Sequence, residues 1–190
     1  MGKFKFIESK IKGVYVIEPT VFGDKRGYFM ETYNEEDFRQ AGLDYRFVQD
    51  NQSASTAGVL RGLHFQKQHP QAKLVRVLKG KVFDVAVDLR RFSPTFGQWV
   101  GEVLSDENKR QLMIPRGFAH GFLVLSDYAE FAYKCDEFYH PEDEGGLLWN
   151  DPTVAVVWPL DQLPAEAAQH LNLNEKDLRQ PQFDPAAKYF

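Results

Sequence analysis

Two of the five histidines stand in sequence contexts that suit acid–base chemistry. His64 lies within residues 59–66 and His120 within residues 114–122, each among large apolar side chains and close to a glycine. An imidazole has a reference pKa of about 6.5 and can therefore accept a proton at neutral pH. Either histidine alone is more typical of a satisfied core residue, but two in similar surroundings favour a polar pocket inside the fold.

Four further side chains supply the charges and the phenol that such a pocket would use. Lys73 begins the most apolar strand-like run of the chain, and Arg61 precedes His64 by three residues. Within residues 82–89, Asp84 shares one predicted strand face with Val82 and Ala86. For all three charged residues the alternative is an exposed strand face with weak ion pairs. Tyr133 is either a core aromatic or a phenol that donates a proton.

The spacing of Pro115, Gly117 and His120 resembles the second motif of the cupin superfamily, whose members are small double-stranded β-helix (jelly-roll) barrels. Many cupins hold a metal through a His-x-His pair, a nearby glutamate and a later histidine. Here Gln66 stands two residues after His64, and no glutamate follows closely. A lasting transition-metal site usually has three or more protein ligands, so we predict no metal and another use for the imidazole, such as a general base.

The composition excludes several functional classes. The 190-residue chain has a formal net charge of −4 and a single cysteine, Cys135. The negative charge argues against a general nucleic-acid binder, and one cysteine excludes a disulfide scaffold. The first residues contain no long apolar core, and no apolar run approaches the roughly 18 residues of a membrane span. We therefore expect a cytoplasmic protein without nucleic-acid or membrane partners, folded as one domain over residues 1–190.

The elements that must position these side chains are mostly short strands. Runs of β-branched and aromatic residues broken by glycine and proline are typical of a sandwich or barrel, and the runs on either side of Gly80 predict a hairpin or a tight bend. Asn34 as N-cap and Gly42 as terminator predict a short helix, and residues 163–178 predict a C-terminal helical cap. The predicted strands cover residues 13–18, 27–33, 73–78, 82–89, 98–104, 110–114, 121–125 and 129–134.

Seven segments taken together resemble one family, the dTDP-4-dehydrorhamnose 3,5-epimerases, which are metal-free cupins of the dTDP-L-rhamnose pathway. The combination is far more specific than any segment alone. It implies a mainly β jelly-roll barrel with short helices, no cofactor, and an isomerase that inverts C3 and C5 of dTDP-4-dehydro-6-deoxy-D-glucose. The segments are residues 21–29, 49–53, 60–66, 73–77, 83–88, 114–122 and 149–152.

The resemblance also implies catalytic roles, because the substrate ketone at C4 acidifies the protons on C3 and C5. His64 matches the family's base, and Lys73 matches the cation beside the C4 oxygen, where one positioned donor is typically worth about 3 kcal/mol of barrier. Tyr133 matches the acid that reprotonates the sugar from the opposite face. The carboxylate that orients the base matches Asp177, with Asp161 as the alternative.

Further matches concern substrate binding and assembly. Arginine suits a diphosphate because its guanidinium donates two bonds to paired oxygens. Family members are homodimers in which N-terminal residues of one subunit reach the partner's pocket, so we expect Arg26 to act there. Six aromatic residues are expected mostly in the core: Phe22, Tyr28, Phe29, Phe118, Phe122 and Tyr139. Of these, Phe22, Tyr28 and Tyr139 are also candidate walls for the thymine ring. The matching substrate-contact positions are Arg26, Glu31, Gln49, Asn51, Arg61, Lys73, Asp84, His120, Tyr139, Glu144 and Lys176.

Three other functions stay open at the level of the sequence. A related nucleotide-sugar cupin would invert one centre only or isomerise the ketone, and Tyr133 favours double inversion because that reaction needs an acid on the second face. A non-catalytic sugar-nucleotide binding cupin would not need His64, Lys73 and Tyr133 together. A metal-dependent oxygenase cupin is disfavoured by Gln66.

Overall fold

The computed structural model describes residues 3–190, and strands dominate this part of the chain. Three short α-helices accompany them: α1 (Glu35–Gln40), α2 (Ala165–Gln169) and α3 (Glu175–Leu178). The strands are β1 (Phe4–Glu8), β2 (Tyr15–Pro19), β3 (Phe22–Asp24), β4 (Gly27–Phe29), β5 (Gln49–Thr56), β6 (Leu60–Gln66), β7 (Lys73–Lys79), β8 (Lys81–Asp88), β9 (Trp99–Ser105), β10 (Gln111–Ile114), β11 (Phe118–Val124), β12 (Tyr128–Cys135) and β13 (Glu144–Gly146).

Two antiparallel sheets face each other and form the predicted jelly roll. The first sheet has the order β1-β2-β10-β7-β12-β5, and the second has the order β13-β6-β11-β8-β9. Strands β3 and β4 make a separate hairpin that joins neither sheet. The first sheet ends in β1 and β5 and the second in β13 and β9, so the described strands form an open sandwich and not a hydrogen-bonded barrel.

Alternation along β8 assigns its residues to two different cores. Val82 and Ala86 point between the sheets into a cluster that includes Phe131 and Phe122. Val85, Val87 and Leu89 point to the outer face of the second sheet, where the C-terminal segment covers them with side chains such as Trp158, Leu163 and Phe183. Asp84 therefore points between the sheets and is fully buried, which overturns the alternative of an exposed ion-pairing face.

The bend at Gly80 carries the chain from one sheet to the other. β7 belongs to the first sheet and β8 to the second, so this turn is the tight bend and not the hairpin among the two predicted alternatives. Gly80 has φ +80°, and a Cβ there would lie 2.1 Å from the carbonyl oxygen of Tyr128. Only glycine fits at this point without displacing the neighbouring backbone.

The helix predictions are confirmed at one end of the chain and revised at the other. Asn34 caps α1 by accepting from the amides of Glu36 and Asp37, as predicted. The C-terminal stretch is not one helix, because α2 and α3 are separated by an extended segment. In that segment Asn172 exchanges backbone hydrogen bonds with Gly58 and Leu60 and so runs beside the start of β6.

Several strands lie outside the predicted set or are shorter than predicted. β5 and β6 were not expected as strands, and neither were β1, β3 and β13. The predicted strand over residues 27–33 shrinks to the three residues of β4. The aromatics expected mainly in the core divide: Phe118 and Phe122 are buried, whereas Phe22, Tyr28, Phe29 and Tyr139 are exposed.

A buried carboxylate fixes the loop that follows β8. Asp88 accepts hydrogen bonds from the Arg90 guanidinium at 2.7 Å and from the hydroxyls of Ser93 and Thr95 at 2.6 Å each. Burial alone would raise the pKa of Asp88, but these bonds outweigh it and hold that pKa below its ordinary value. The carboxylate therefore stabilises the fold in its charged form.

We expect Asp88→Ala to lower the free energy of unfolding by about 3 kcal/mol at pH 7, because the partly buried Arg90 guanidinium and two partly buried hydroxyls lose their charged acceptor. Because the pKa of Asp88 is lowered on folding, its contribution is full at neutral pH and is lost as the pH falls below about 3.9. Urea unfolding at pH 7 and at acid pH measures both effects. Lys5→Ala, which breaks an exposed pair with Glu18, is the control and should change little.

Candidate active site

One cavity opens between the two sheets and collects most of the predicted chemical groups. Its volume is about 190 Å³. His64 enters it from β6 in the second sheet, whereas Tyr133 and Lys73 enter it from β12 and β7 in the first sheet. A molecule held here has an imidazole on one side and a phenol on the other. The lining residues are Ser53, Arg61, His64, Lys73, His120, Gly121, Phe122, Phe131, Tyr133, Asn174 and Asp177.

His64 is paired with a buried carboxylate. Its Nε2 lies 2.5 Å from Oδ1 of Asp177, whose side chain is only 1% exposed. Asp177 sits in α3, and the Oδ1 of Asn174 caps that helix by accepting from the amide of Asp177 at 2.7 Å. Asp161 is exposed, so of the two predicted partners Asp177 is the one in contact with the imidazole. The short helix thus serves to present one carboxylate to the ring.

A second imidazole–carboxylate pair lies deeper in the sandwich. His120 Nε2 is 2.9 Å from Oδ2 of Asp84, and both side chains are buried. Burial raises the pKa of Asp84, while His120 and Lys73 act in the opposite direction. His120 faces the same cavity as His64, its cross-strand partner on β6, whereas the fully buried Asp84 does not line the cavity.

Two glycines let β6 and β11 approach closely beside these histidines. A Cβ on Gly62 would lie 2.5 Å from the Cα of Gly121, and Gly62 has φ +116°. The register of the two strands shifts between His120 and Phe122, as at a β-bulge. The glycines near each histidine in the sequence therefore permit the close strand contact that brings both imidazoles to one cavity.

Lys73 and Tyr133 form the wall that belongs to the first sheet. The Lys73 ammonium lies 5.8 Å from the centre of the Tyr133 ring. Burial lowers the pKa of Lys73, although Cys135, Asp84 and other groups act to raise it. Burial raises the pKa of Tyr133, so this phenol keeps its proton at neutral pH. Burial likewise raises the pKa of Cys135 to about 11, which leaves it an uncharged thiol.

A chain of polar contacts runs along one rim of the site, through residues that do not line the cavity itself. Lys176 Nζ lies 2.5 Å from Glu144 Oε2, which also accepts from the hydroxyl of Tyr139 at 2.8 Å. The amide of Tyr139 donates to Gln49, whose side chain donates to Asn51. Burial would raise the pKa of Glu144, but the bonds from Lys176 and Tyr139 hold it below its usual value. Five of the predicted substrate-contact residues are therefore linked to one another.

Arg26 and Glu31 lie away from the cavity of their own chain. Arg26 is bound to Asp24 within the β3–β4 hairpin, and its side chain is 84% exposed. Glu31 pairs with Lys3 and accepts from Asn34. Neither belongs to the cavity lining, unlike Arg61, which is held by the hydroxyl of Ser55 at 3.0 Å.

The comparisons with known proteins agree with this geometry. The sequence model of the family described as dTDP-4-dehydrorhamnose 3,5-epimerase matches residues 8–185. The protein of that name from Methanothermobacter thermautotrophicus is 54% identical over 180 residues, which cover 95% of this chain and 97% of that protein. The chain belongs to the dTDP-4-dehydrorhamnose 3,5-epimerase family. It is therefore an isomerase, and the resemblance inferred from its seven segments is confirmed.

The fold of this epimerase is also similar to the folds of solved structures. A dTDP-6-deoxy-D-glucose-3,5-epimerase from Legionella pneumophila, in complex with dTDP-4-keto-L-rhamnose, has a TM-score of 0.88 and 50% identity and covers 94% of this chain and 92% of that one. A 3'-monoepimerase from Streptomyces bikiniensis in complex with dTDP-quinovose has a TM-score of 0.84 and 33% identity, covering 93% and 86%. The cupin-type fold is thus confirmed, and enzymes that differ in the number of inverted centres share it.

Some features of this epimerase's cavity were missed by the sequence analysis. Ser53 lines it because it follows Asn51 on the same face of β5, a relation that an alternating pattern would have revealed had β5 been expected as a strand. Phe131, which stacks on Phe122 at 4.2 Å, supplies an apolar wall. Within residues 3–190 no group of three or more metal-ligating side chains converges, and no helix has the length and apolar character that crossing a bilayer requires.

Proposed function

We propose that the chain inverts both C3 and C5 of dTDP-4-dehydro-6-deoxy-D-glucose and so forms dTDP-4-dehydro-L-rhamnose. The observation that carries this proposal is the entry of His64 and Tyr133 into one cavity from opposite sheets. Double inversion requires removal of a proton from one face of the sugar and its return to the other. A base and an acid on opposing walls meet that requirement.

His64 acts as the base. The neutral imidazole takes the proton from the carbon next to the ketone and becomes imidazolium. Asp177 lies 2.5 Å from the ring nitrogen and is shielded from water, so it orients the ring and stabilises the positive charge. The roles resemble those of a base and its carboxylate in a catalytic triad.

Lys73 stabilises the charge that develops on the C4 oxygen. When the proton leaves C3 or C5, its bonding electrons form an enolate whose negative charge collects on that oxygen. A preformed ammonium in a site with little water lowers the energy of this state, typically by about 3 kcal/mol. His120, paired with the buried Asp84, lies on the other side of the cavity and holds the sugar.

Tyr133 returns a proton from the opposite face. Because burial raises the pKa of Tyr133, the phenol is protonated and ready to donate at neutral pH. Collapse of the enolate onto this proton inverts the carbon and leaves an imidazolium and a phenolate. Proton exchange with water restores the neutral imidazole and the phenol, and the same sequence then inverts the second carbon. These steps require no metal and no cofactor.

The rim groups bind the nucleotide portion. Arg61 and Lys176 supply positive charge suited to the diphosphate, which is how a chain with a net charge of −4 accommodates an anionic ligand. Tyr139 is half exposed beside Glu144 and offers its ring to the thymine. Gln49 and Asn51 supply amide groups to the same ligand.

We also propose a homodimer in which the β3–β4 hairpin enters the partner's site. Phe22, Tyr28 and Phe29 are each more than half exposed, and such an apolar patch is typical of an interaction surface. Arg26 lies at the tip of this hairpin, away from its own cavity. Transfer of the hairpin to a second copy buries the aromatics and brings the guanidinium to a diphosphate.

Solvent exchange tests the reaction. With dTDP-4-dehydro-6-deoxy-D-glucose in D2O, the wild-type protein should place deuterium at both C3 and C5 with inversion, as followed by NMR. His64→Ala should abolish exchange at both carbons because no base remains. Tyr133→Phe should keep part of the exchange, because His64 still removes protons, and lose inversion, because no acid remains on the opposite face.

Each other outcome of that experiment has a distinct meaning. Exchange at one carbon alone in the wild type would indicate a mono-epimerase, the activity named for the Streptomyces bikiniensis relative. Binding of the sugar nucleotide without exchange would indicate a non-catalytic protein. Full double inversion by Tyr133→Phe would show that another group is the acid.

The pH profile tests the charge on Lys73. Because burial lowers the pKa of Lys73, its charge is lost at lower pH than for a free lysine, so kcat/KM should fall on the alkaline side below pH 10.5. Lys73→Arg should lower the rate but move that fall upward, since a guanidinium stays charged. Tyr133→Phe should leave the alkaline fall in place, because the pKa of Tyr133 is raised. An unmoved fall in Lys73→Arg would contradict the role.

Mixed subunits test the exchange of hairpins. If Arg26 serves the partner's site, a heterodimer of Arg26→Ala and His64→Ala chains contains one intact site, formed by the His64 of one chain and the Arg26 of the other. Random exchange of two nearly inactive homodimers should then restore about a quarter of wild-type activity. No recovery after subunit exchange, verified by mass spectrometry, would mean that Arg26 acts within its own chain or not at all.

A further inference from the structure

We propose that Gln66 is a positioning residue that holds the loop carrying Tyr139 over the nucleotide end of the site. The inference rests on the proposed dTDP-sugar function and adds a residue to it. Gln66 occupies the position of the second histidine in a His-x-His pair, two residues after His64, and it is almost completely buried. A buried amide at such a place needs partners for all its polar atoms.

Every partner of the Gln66 amide is a backbone group: one lies in the loop after β6, and two flank Tyr139. Its Nε2 donates to the carbonyl of His69 at 2.7 Å and to the carbonyl of Phe138 at 3.0 Å. Its Oε1 accepts from the amide of His140 at 2.6 Å. The two residues on either side of Tyr139 are therefore fixed by a single side chain.

Hydrogen bonds and not apolar burial hold this loop. Phe138 is 57% exposed and Tyr139 is 51% exposed. The bonds that join Phe138 and His140 to Gln66, together with the bond from the Tyr139 amide to Gln49, fix the backbone of residues 138–140. His69 and His140 both bond Gln66 through their backbone, and their rings stack at 4.1 Å.

The anchored loop leads directly to the catalytic base. The Tyr139 hydroxyl donates to Glu144, which is paired with Lys176. Lys176 immediately precedes Asp177, the carboxylate in contact with His64. Glu144 is also the cross-strand partner of Gln66 in the β13–β6 ladder. The side-chain amide of Gln66, on the same strand as His64, thus positions the rim that we propose binds the nucleotide.

Preorganisation of this kind should appear in substrate binding more than in the chemical step. In Gln66→Met, which keeps the length of the side chain but loses its three hydrogen bonds, we expect Kd for dTDP and KM for the sugar nucleotide to rise about tenfold. The value of kcat should stay within about threefold of wild type, because His64, Lys73 and Tyr133 are untouched. Calorimetry with dTDP and steady-state assays measure these quantities.

Gln71→Met is the matched control. Gln71 also donates to the backbone of this region, to the carbonyl of Glu137 at 2.8 Å, but it does not bracket Tyr139. We expect its Kd and KM to stay near the wild-type values. If both variants weaken dTDP binding equally, the effect is general loosening of the region and the proposal is wrong.

A double-mutant cycle separates positioning from a purely structural role. If Gln66 acts through the Tyr139 ring, then Gln66→Met should weaken dTDP binding much less in a Tyr139→Ala background than in wild type. Additive effects of the two substitutions would overturn the inference. Gln66→Glu, whose carboxylate faces the two carbonyls, replaces the Met variant if the latter does not fold, with the same expected rise in Kd.

The same measurements distinguish this inference from the function on which it rests. A wild-type protein that neither binds dTDP nor epimerises the sugar would refute the proposed function. A wild-type protein that does both, with unchanged Kd and KM in the folded Gln66 variants, would refute the role of Gln66 alone.

Discussion

A charge buried between two apolar sheets must find a partner, and this constraint governs the site. Asp84 and Asp177 are both removed from water, and each lies against an imidazole. Lys73 stands among groups that offset part of its desolvation. An unpaired charge in this interior would cost several kcal/mol, so the polar groups form pairs that also set the orientation of each ring. The pairing that folding requires therefore also sets the ring orientations on which the proposed proton transfer depends.

The C-terminal segment has two structural roles. Its apolar side chains cover the outer face of the second sheet, where Trp158 and Phe183 lie over the β8 residues. Between these two residues the same segment runs beside β6 through Asn172 and forms the short helix that carries Asp177. One stretch of chain thus covers the outer face of the second sheet and also supplies a carboxylate to its inner face.

Features set by neighbouring residues in the sequence could be predicted, whereas contacts between distant parts of the chain could not. Alternation in residues 82–89 correctly assigned Asp84 to the face of Val82 and Ala86, because side-chain period is a local property. β5 escaped prediction because its polar sequence has low strand propensity, and it forms through eight paired positions with β12. The contact between His64 and Asp177 spans 113 positions and came from family resemblance, since no local pattern encodes it. The exposed aromatics of the β3–β4 hairpin were misjudged for the same reason, as burial is decided by tertiary neighbours.

The polarity of β5 has a consequence for solubility. This strand forms one edge of the first sheet, so one of its sides presents free backbone donors and acceptors within the described chain. A long apolar edge of that kind is prone to aggregate with other strands. β5 reads Gln-Asp-Asn-Gln-Ser-Ala-Ser-Thr and carries hardly any apolar surface. The amides and hydroxyls that suit a sugar nucleotide therefore also give a poor template for fibril growth, and substitutions that make this edge more apolar would favour self-association.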